Sequence, residues 1–133
     1  VETMRGHDLG RVITKGSARP NTGVPGEIGG YTVERLLRAP ADGIFEPMRA
    51  IGDAVSAGEA VAVVSRQAMR AQISGVLRGL LRPGTPVHTG MKSGDIDPRC
   101  AVSHCFSVSD KARAIGGGVL EAILGLGGFL NGK

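Results

Sequence analysis

The chain has 133 residues, of which 41% are hydrophobic and 21% charged, enough for one domain with a modest core and no staples. It holds one Tyr, three Phe and no Trp, and its net charge of +4 is spread without a basic run. Stacking platforms and a concentrated cationic patch are both missing, so nucleic acid is not an expected partner. No apolar run approaches the roughly 18 residues of a membrane span, nothing at the N-terminus reads as a signal peptide, and two cysteines are too few for a disulfide framework. The expected compartment is the cytoplasm, and no membrane partner is expected. The chain starts at Val1 rather than Met, which reads as a fragment or processed product of a larger parent.

Taken in chain order, residues 1–38 read as N-terminal strands joined by a long loop. Residues 11–14 (RVIT) form the first expected strand and residues 31–38 the second. Residues 15–30, rich in Gly, Pro, Asn and Ser, read as a loop, and loops of this length are usually functional or disordered. Arg5, His7, Asp8 and Arg11 make a dense polar cluster. It reads either as a solvated turn with local salt bridges or as an anion- or partner-binding site.

Residues 39–99 carry an internal repeat. APADGIFEPMRAIGDAVSAGEAVAVV (39–64) overlies AQISGVLRGLLRPGTPVHTGMKSGDI (71–96) without a gap. Ala39, Gly43, Gly52, Val55 and Gly58 fall on Ala71, Gly75, Gly84, Val87 and Gly90. Two copies are too few for a solenoid and predict a two-fold pseudosymmetric unit. Short strands between close turn signals, among them Gly52-Asp53 and Pro83-Gly84, predict a small all-β barrel or sandwich. The motif A-P-x-x-G…G-D-x-V-x-x-G-x-x-V at 39–61 resembles the biotinyl/lipoyl-like barrel-sandwich hybrid, in which two halves meet at a hairpin whose tip carries a modified lysine. Residues 67–70 (QAMR) are expected to form that hairpin, exposed, with Met69 present and Arg70 in place of the lysine. Attachment needs an amine that can lose its proton, and a guanidinium stays charged. The reading is therefore a degenerate carrier hairpin. Lys92 lies in the second copy and reads as a surface lysine.

Residues 100–133 read as a C-terminal strand and a Gly-rich helix. Just before them, Asp95 and Asp97 alternate, so an extended chain places both on one face, and Arg99 can pair with either. They lack the oxygen ligands of a complete cation site, and an Asp–Arg network is the expectation. Cys100, His104 and Cys105 do not have a standard zinc spacing, so no metal is expected. The default reading is of small, buried or idle cysteines; the alternative makes them candidate thiols with a neighbouring imidazole that could promote thiolate formation. Ser109 is a good N-cap, with Asp110 in the first turn. The helix is expected to run to Leu124, with Gly125 or Gly127 near its end. Gly116-Gly117-Gly118 inside it costs about 1 kcal/mol per glycine, which predicts close approach to the barrel or to a missing parent domain. Val119, Leu120, Ile123, Leu124 and Leu126 form an apolar surface that needs covering.

ETMRGHDLGRVI (2–13), NTGVPG (21–26), GDIDPR (94–99) and SDKARAIGGGVLEAIL (109–124) together resemble the selenium-dependent molybdenum hydroxylase accessory protein family, the YqeB type. The resemblance covers nearly the whole chain and implies the C-terminal half of such a protein, with a nucleotide-binding-like N-terminal half absent. The implied role is maturation of the selenium-modified molybdenum centre, with a molybdenum hydroxylase client or other maturation proteins as partners. The catalytic residues remain unassigned by the resemblance. Three functions follow from these readings. The first is a non-catalytic assembly or binding module. The second is thiol-based selenium or sulfur handling, with Arg5, Arg11 and Arg99 gripping an anionic pterin phosphate and a molybdenum cofactor or selenium species in transit. The third is a degenerate biotin-like carrier. Homo-oligomer formation is left open.

Overall fold

The computed structural model describes residues 1–128; residues 129–133, including Phe129 and the tail of the predicted C-terminal segment, lie outside the described residues. Two compact units are present. One spans residues 25–107 and the other joins residues 1–24 to the chain from residue 108 onward.

The first unit is mostly β. Its strands are β1 (Leu36–Arg38), β2 (Gly43–Pro47), β3 (Ala54–Val55), β4 (Ala60–Val64), β5 (Gln67–Arg70), β6 (Gly75–Leu80), β7 (Pro86–Val87) and β8 (Lys92–Asp97). They make two four-stranded sheets in the orders β1-β8-β6-β3 and β5-β4-β2-β7, with every pairing antiparallel. The repeat seen in the sequence is the repeat of the fold. Exchanging β1, β2, β3 and β4 for β5, β6, β7 and β8 turns one sheet into the other.

Register follows the same rule. Leu37 pairs with Gly94, and its counterpart Met69 pairs with Ala62. Ala54 pairs with Val76 as Pro86 does with Ile44. The Gly58 N–H donates to the Ala71 carbonyl and the Gly90 N–H to the Ala39 carbonyl, both at 2.8 Å. Even the irregularity between Leu37 and Arg38 recurs between Ala60 and Ala62. One irregularity, between Leu77 and Gly79 in β6, has no counterpart in the β2–β4 pair.

Matched positions also build the core. Leu37 and Met69, Phe45 and Leu77, Val55 and Val87, and Val64 and Ile96 are all buried in one cluster. A 32-residue repeat of apolar positions with period 2 inside each strand brings two half-cores face to face, each covering the other.

Three expected strands are corrected. Residues 11–14 form none. Their backbone is drawn into a closed loop, in which the Glu2 N–H donates to the Arg11 carbonyl and the Gly10 N–H to the Glu2 carbonyl, both at 2.9 Å. Of residues 31–38 only Leu36–Arg38 is strand; Val33–Arg35 is a 3-10 turn, wound so that the Arg35 side chain points inward. In place of a strand after residue 100 there is a 3-10 helix, Val102–Cys105. Pro98 lacks a ladder donor, and Cys100, at φ 58°, turns the chain off the sheet line. Residues 15–30 contain no helix or strand, only a bridge between Ile28 and Tyr31.

In the second unit, α1 (Asp110–Leu126) is capped as expected: the Ser109 hydroxyl accepts from the Ala112 N–H. The helix runs two residues past Leu124, to a Gly127 cap. The close approach foreseen for the triple glycine exists at Gly118 alone, and its partner is the N-terminal segment rather than the barrel. A Cβ on Gly118 would lie 1.9 Å from the Gly10 carbonyl oxygen, and one on Gly10 would lie 2.5 Å from that of Ala114. Gly116 and Gly117 face open space. Among the described residues no helix is long and apolar enough to cross a membrane.

Candidate functional site

Both β8 carboxylates are spoken for, each by a different arginine. Arg35 is buried. Its Nη2 donates to both oxygens of Asp95, at 3.2 and 3.0 Å, its Nε to the Ile96 carbonyl and its Nη1 to the Gly26 carbonyl. A buried guanidinium needs this many acceptors to offset its lost hydration. Asp97 is 1% exposed. Its Oδ1 accepts from the Arg99 backbone N–H (3.0 Å) and Nε (2.9 Å), and its Oδ2 from Arg99 Nη2 (2.7 Å). The side-chain bond from Arg99 is the main reason its carboxyl is pulled from 3.8 down to about 2; burial opposes, and the Arg99 backbone bond and the charges of Arg99 and Arg78 assist. Asp97 is thus a fixed anion at neutral pH, unsuited to general acid–base work. The Asp–Arg contacts fall into two separate groups, Asp95 with Arg35 and Asp97 with Arg99 and, at 3.7 Å, Arg78.

Two further groups face the same Asp97 oxygen. Arg78 Nη1 and His104 Nδ1 each lie 3.7 Å from Oδ2, beyond hydrogen-bond range. His104 Nδ1 is buried and has no hydrogen-bond partner. Arg78 sits in the β6 irregularity that breaks the two-fold register. Cys100 is exposed and Cys105 partly buried, both as free thiols. Cys100 Sγ donates to the Pro98 carbonyl at 3.4 Å and Cys105 Sγ to the Leu77 carbonyl at 3.5 Å. Among the described residues no group of three or more His, Cys, Asp or Glu could hold a metal ion.

The N-terminal polar cluster divides. Arg5 forms a forked pair with Asp110 at 2.8 and 3.1 Å. Asp8 binds Arg11 at 2.6 Å and lies 3.8 Å from Arg19. His7 is exposed. The organiser of this segment is Glu2, which sequence reasoning missed. It is buried, and its carboxylate accepts from the backbone N–H groups of Thr3, Met4 and Arg19. Those bonds, the one from Met4 foremost, hold its pKa below the usual value. No local pattern marks Glu2. Arg35 and Arg78 were also missed. Arg78 did leave a trace, since it stands 32 residues after Glu46, an acid at the matched position.

The hairpin is corrected by its register. Val64 pairs with Gln67, so the tip is Ser65-Arg66, with φ 48° and 64°. Met69 lies in β5 and is buried. Arg70 also lies in β5, and its Nη1 donates to the Gly58 carbonyl at 2.9 Å. Two positive φ angles suit a two-residue hairpin turn, but neither residue is a Gly or Asn that would have announced it. The tip carries a guanidinium, Arg66, and no lysine. Lys92 opens β8 and is exposed.

The apolar residues of α1 foreseen as needing cover are largely uncovered. Val119, Leu120, Ile123 and Leu126 are 44%, 56%, 53% and 73% exposed and span an arc of about 120° at 100° per residue.

No protein-family model matches the chain. It is 52% identical over 124 residues to the uncharacterized protein YqeB of Escherichia coli (strain K12). That match takes in 93% of this chain and 23% of the relative, so the chain spans less than a quarter of the relative's length. Among solved structures it is similar to an aspartoacylase family protein from Mesorhizobium loti, at 25% identity and a TM-score of 0.43, over 47% of this chain and 22% of that one.

Proposed function

We propose that the chain is a non-catalytic assembly module of a cytoplasmic accessory protein that matures a selenium-dependent molybdenum hydroxylase. The observation that carries the docking role is the uncovered apolar arc of α1, Val119, Leu120, Ile123 and Leu126. A contiguous exposed apolar surface of this kind marks an interaction site, and the client hydroxylase is the proposed occupant. The charged side chains support the same reading: Asp97 is held as the ionised partner of Arg99 rather than poised to exchange a proton, and Asp95 is tied up by the buried Arg35. The choice of client rests on the resemblance of the four motifs to the accessory family; the similarity to YqeB adds no function.

We read the eight-stranded core as a biotinyl/lipoyl-like barrel-sandwich hybrid that serves as scaffold. Its two-fold exchange of strands and the hairpin between the halves support this. Arg66 at the tip argues against attachment of biotin or lipoate, since the guanidinium offers no nucleophilic amine.

A second reading, thiol-based selenium or sulfur handling, is favoured by the exposed Cys100. Titration of purified client hydroxylase with the full-length accessory protein separates the two. Leu120→Asp with Ile123→Asp is expected to abolish binding, and Cys100→Ser with Cys105→Ser to leave it unchanged. Retained binding by the aspartate variant would sink the docking role.

A further inference from the structure

We propose that the surface beside Asp97, between Arg78 on β6 and His104 on the 3-10 helix Val102–Cys105, is a binding site for a small oxyanion, of the class of a phosphate group. The first argument is charge. One carboxylate faces two guanidiniums and an imidazole. Arg99 occupies both Asp97 oxygens with three hydrogen bonds, which neutralises the carboxylate. The Arg78 charge is then in excess.

The second argument is unmet hydrogen bonding. Arg78 Nη1 stops 3.7 Å short of Asp97, and no other ion pair or hydrogen bond is made by its guanidinium among the described residues. His104 Nδ1 is buried without a partner and also 3.7 Å from that oxygen. Buried polar atoms are paired in folded proteins with few exceptions, and an exception asks for an explanation. Because both nitrogens sit at the same short distance from one oxygen, a single tetrahedral anion can reach both. Arg donors suit oxyanion geometry.

The third argument is the broken symmetry. The register of the two halves agrees through β1–β8 and β4–β5, and departs at Arg78. Its counterpart Glu46 is exposed on an unbulged β2. Arg78 stands in this irregularity, where its guanidinium lies 3.7 Å from Asp97, whereas the acid at the matched position points to solvent. A cation would be repelled here, and a neutral ligand would leave the extra charge unanswered. The site holds whether or not the chain serves a hydroxylase.

The test is nuclear magnetic resonance of the full chain, following the His104 ring and Arg78 side-chain nitrogens during titration with inorganic phosphate and, separately, phenyl phosphate. Saturable shifts of both groups are expected. Arg78→Gln should weaken binding by about tenfold or more, a loss of the order of one charge-assisted contact, while Arg113→Gln on α1 leaves it unchanged. Tighter binding of phenyl phosphate assigns the site to the phosphate of an organic molecule; equal binding assigns it to the free anion. Absence of saturable shifts overturns the proposal, as does equal affinity in Arg78→Gln. Should that variant fail to fold, Arg78→Lys keeps the charge but not the fork, and unaltered affinity for it together with an unmoved His104 ring would also overturn it.

Discussion

Replacing Asp97 by Asn removes the charge on which Arg99 closes while keeping the shape. The folded-state carboxyl sits at about 2 against an ordinary 3.8. At 1.36 kcal/mol per pH unit, that depression is worth about 2 kcal/mol at neutral pH. Losing one partner of a fully buried pair would cost more, but Arg99 is 45% exposed and can rehydrate, so the lower figure applies. A depressed carboxyl contributes stability that is present above its unfolded pKa and fades as pH falls through the folded one. For Asp97 that window runs from about pH 4 down to about pH 2. Chemical denaturation of parent and variant is the assay, at pH 7 and at steps through the acid window. The variant is expected to be about 2 kcal/mol less stable at pH 7, roughly 6–10 °C in melting temperature. The gap should close as the solution is acidified. Other depressed carboxyls, among them Glu2, Asp42 and Glu59, titrate in both proteins and cancel in the difference. A variant within about 0.5 kcal/mol of the parent at pH 7, the range of an ordinary surface change, would refute the reasoning, as would an unchanged gap at low pH.

Hairpin register predicts a contrast between neighbouring residues. Met69→Ala should cost about 3 kcal/mol as a buried deletion, whereas Arg66→Gly should stabilise by up to about 1 kcal/mol by relieving a left-handed non-glycine; urea unfolding of each measures both. The glycines of α1 should respond in opposite directions. Gly118→Ala meets the Gly10 carbonyl and should cost about 2 kcal/mol, while Gly116→Ala, facing open space, should gain up to about 1 kcal/mol from helix propensity. Thermal melting decides, and two changes of the same sign would mean that the helix does not press on Gly10.

The parts of the fold that repeat were readable, because a gap-free offset of 32 places apolar residues at matched points and the fold uses them as matched points. Ser109 was readable for a local reason: a cap needs only its own helix. What escaped was set by distance or by missing markers. Arg35 meets Asp95 across 60 positions of chain, so nothing near either residue predicts the pair. The turn at Ser65-Arg66 lacks the residues that usually occupy positive φ, and the hairpin was therefore placed four residues late, on Met69 and Arg70. Arg78 combined both problems. Its approach to Asp97 depends on a strand pairing that nothing near either residue marks, although its charge reversal against Glu46 was visible in the repeat.

The most direct measurement is the selenium-to-molybdenum ratio of the hydroxylase purified from its own host. Three strains would be compared: the unaltered accessory protein, Leu120→Asp with Ile123→Asp, and Cys100→Ser with Cys105→Ser. The docking account predicts that the aspartate pair lowers the selenium content sharply while the serine pair leaves it at the parental level. Full selenium incorporation with the aspartate pair, and its loss with the serine pair, would contradict the account and move the chemistry to the thiols.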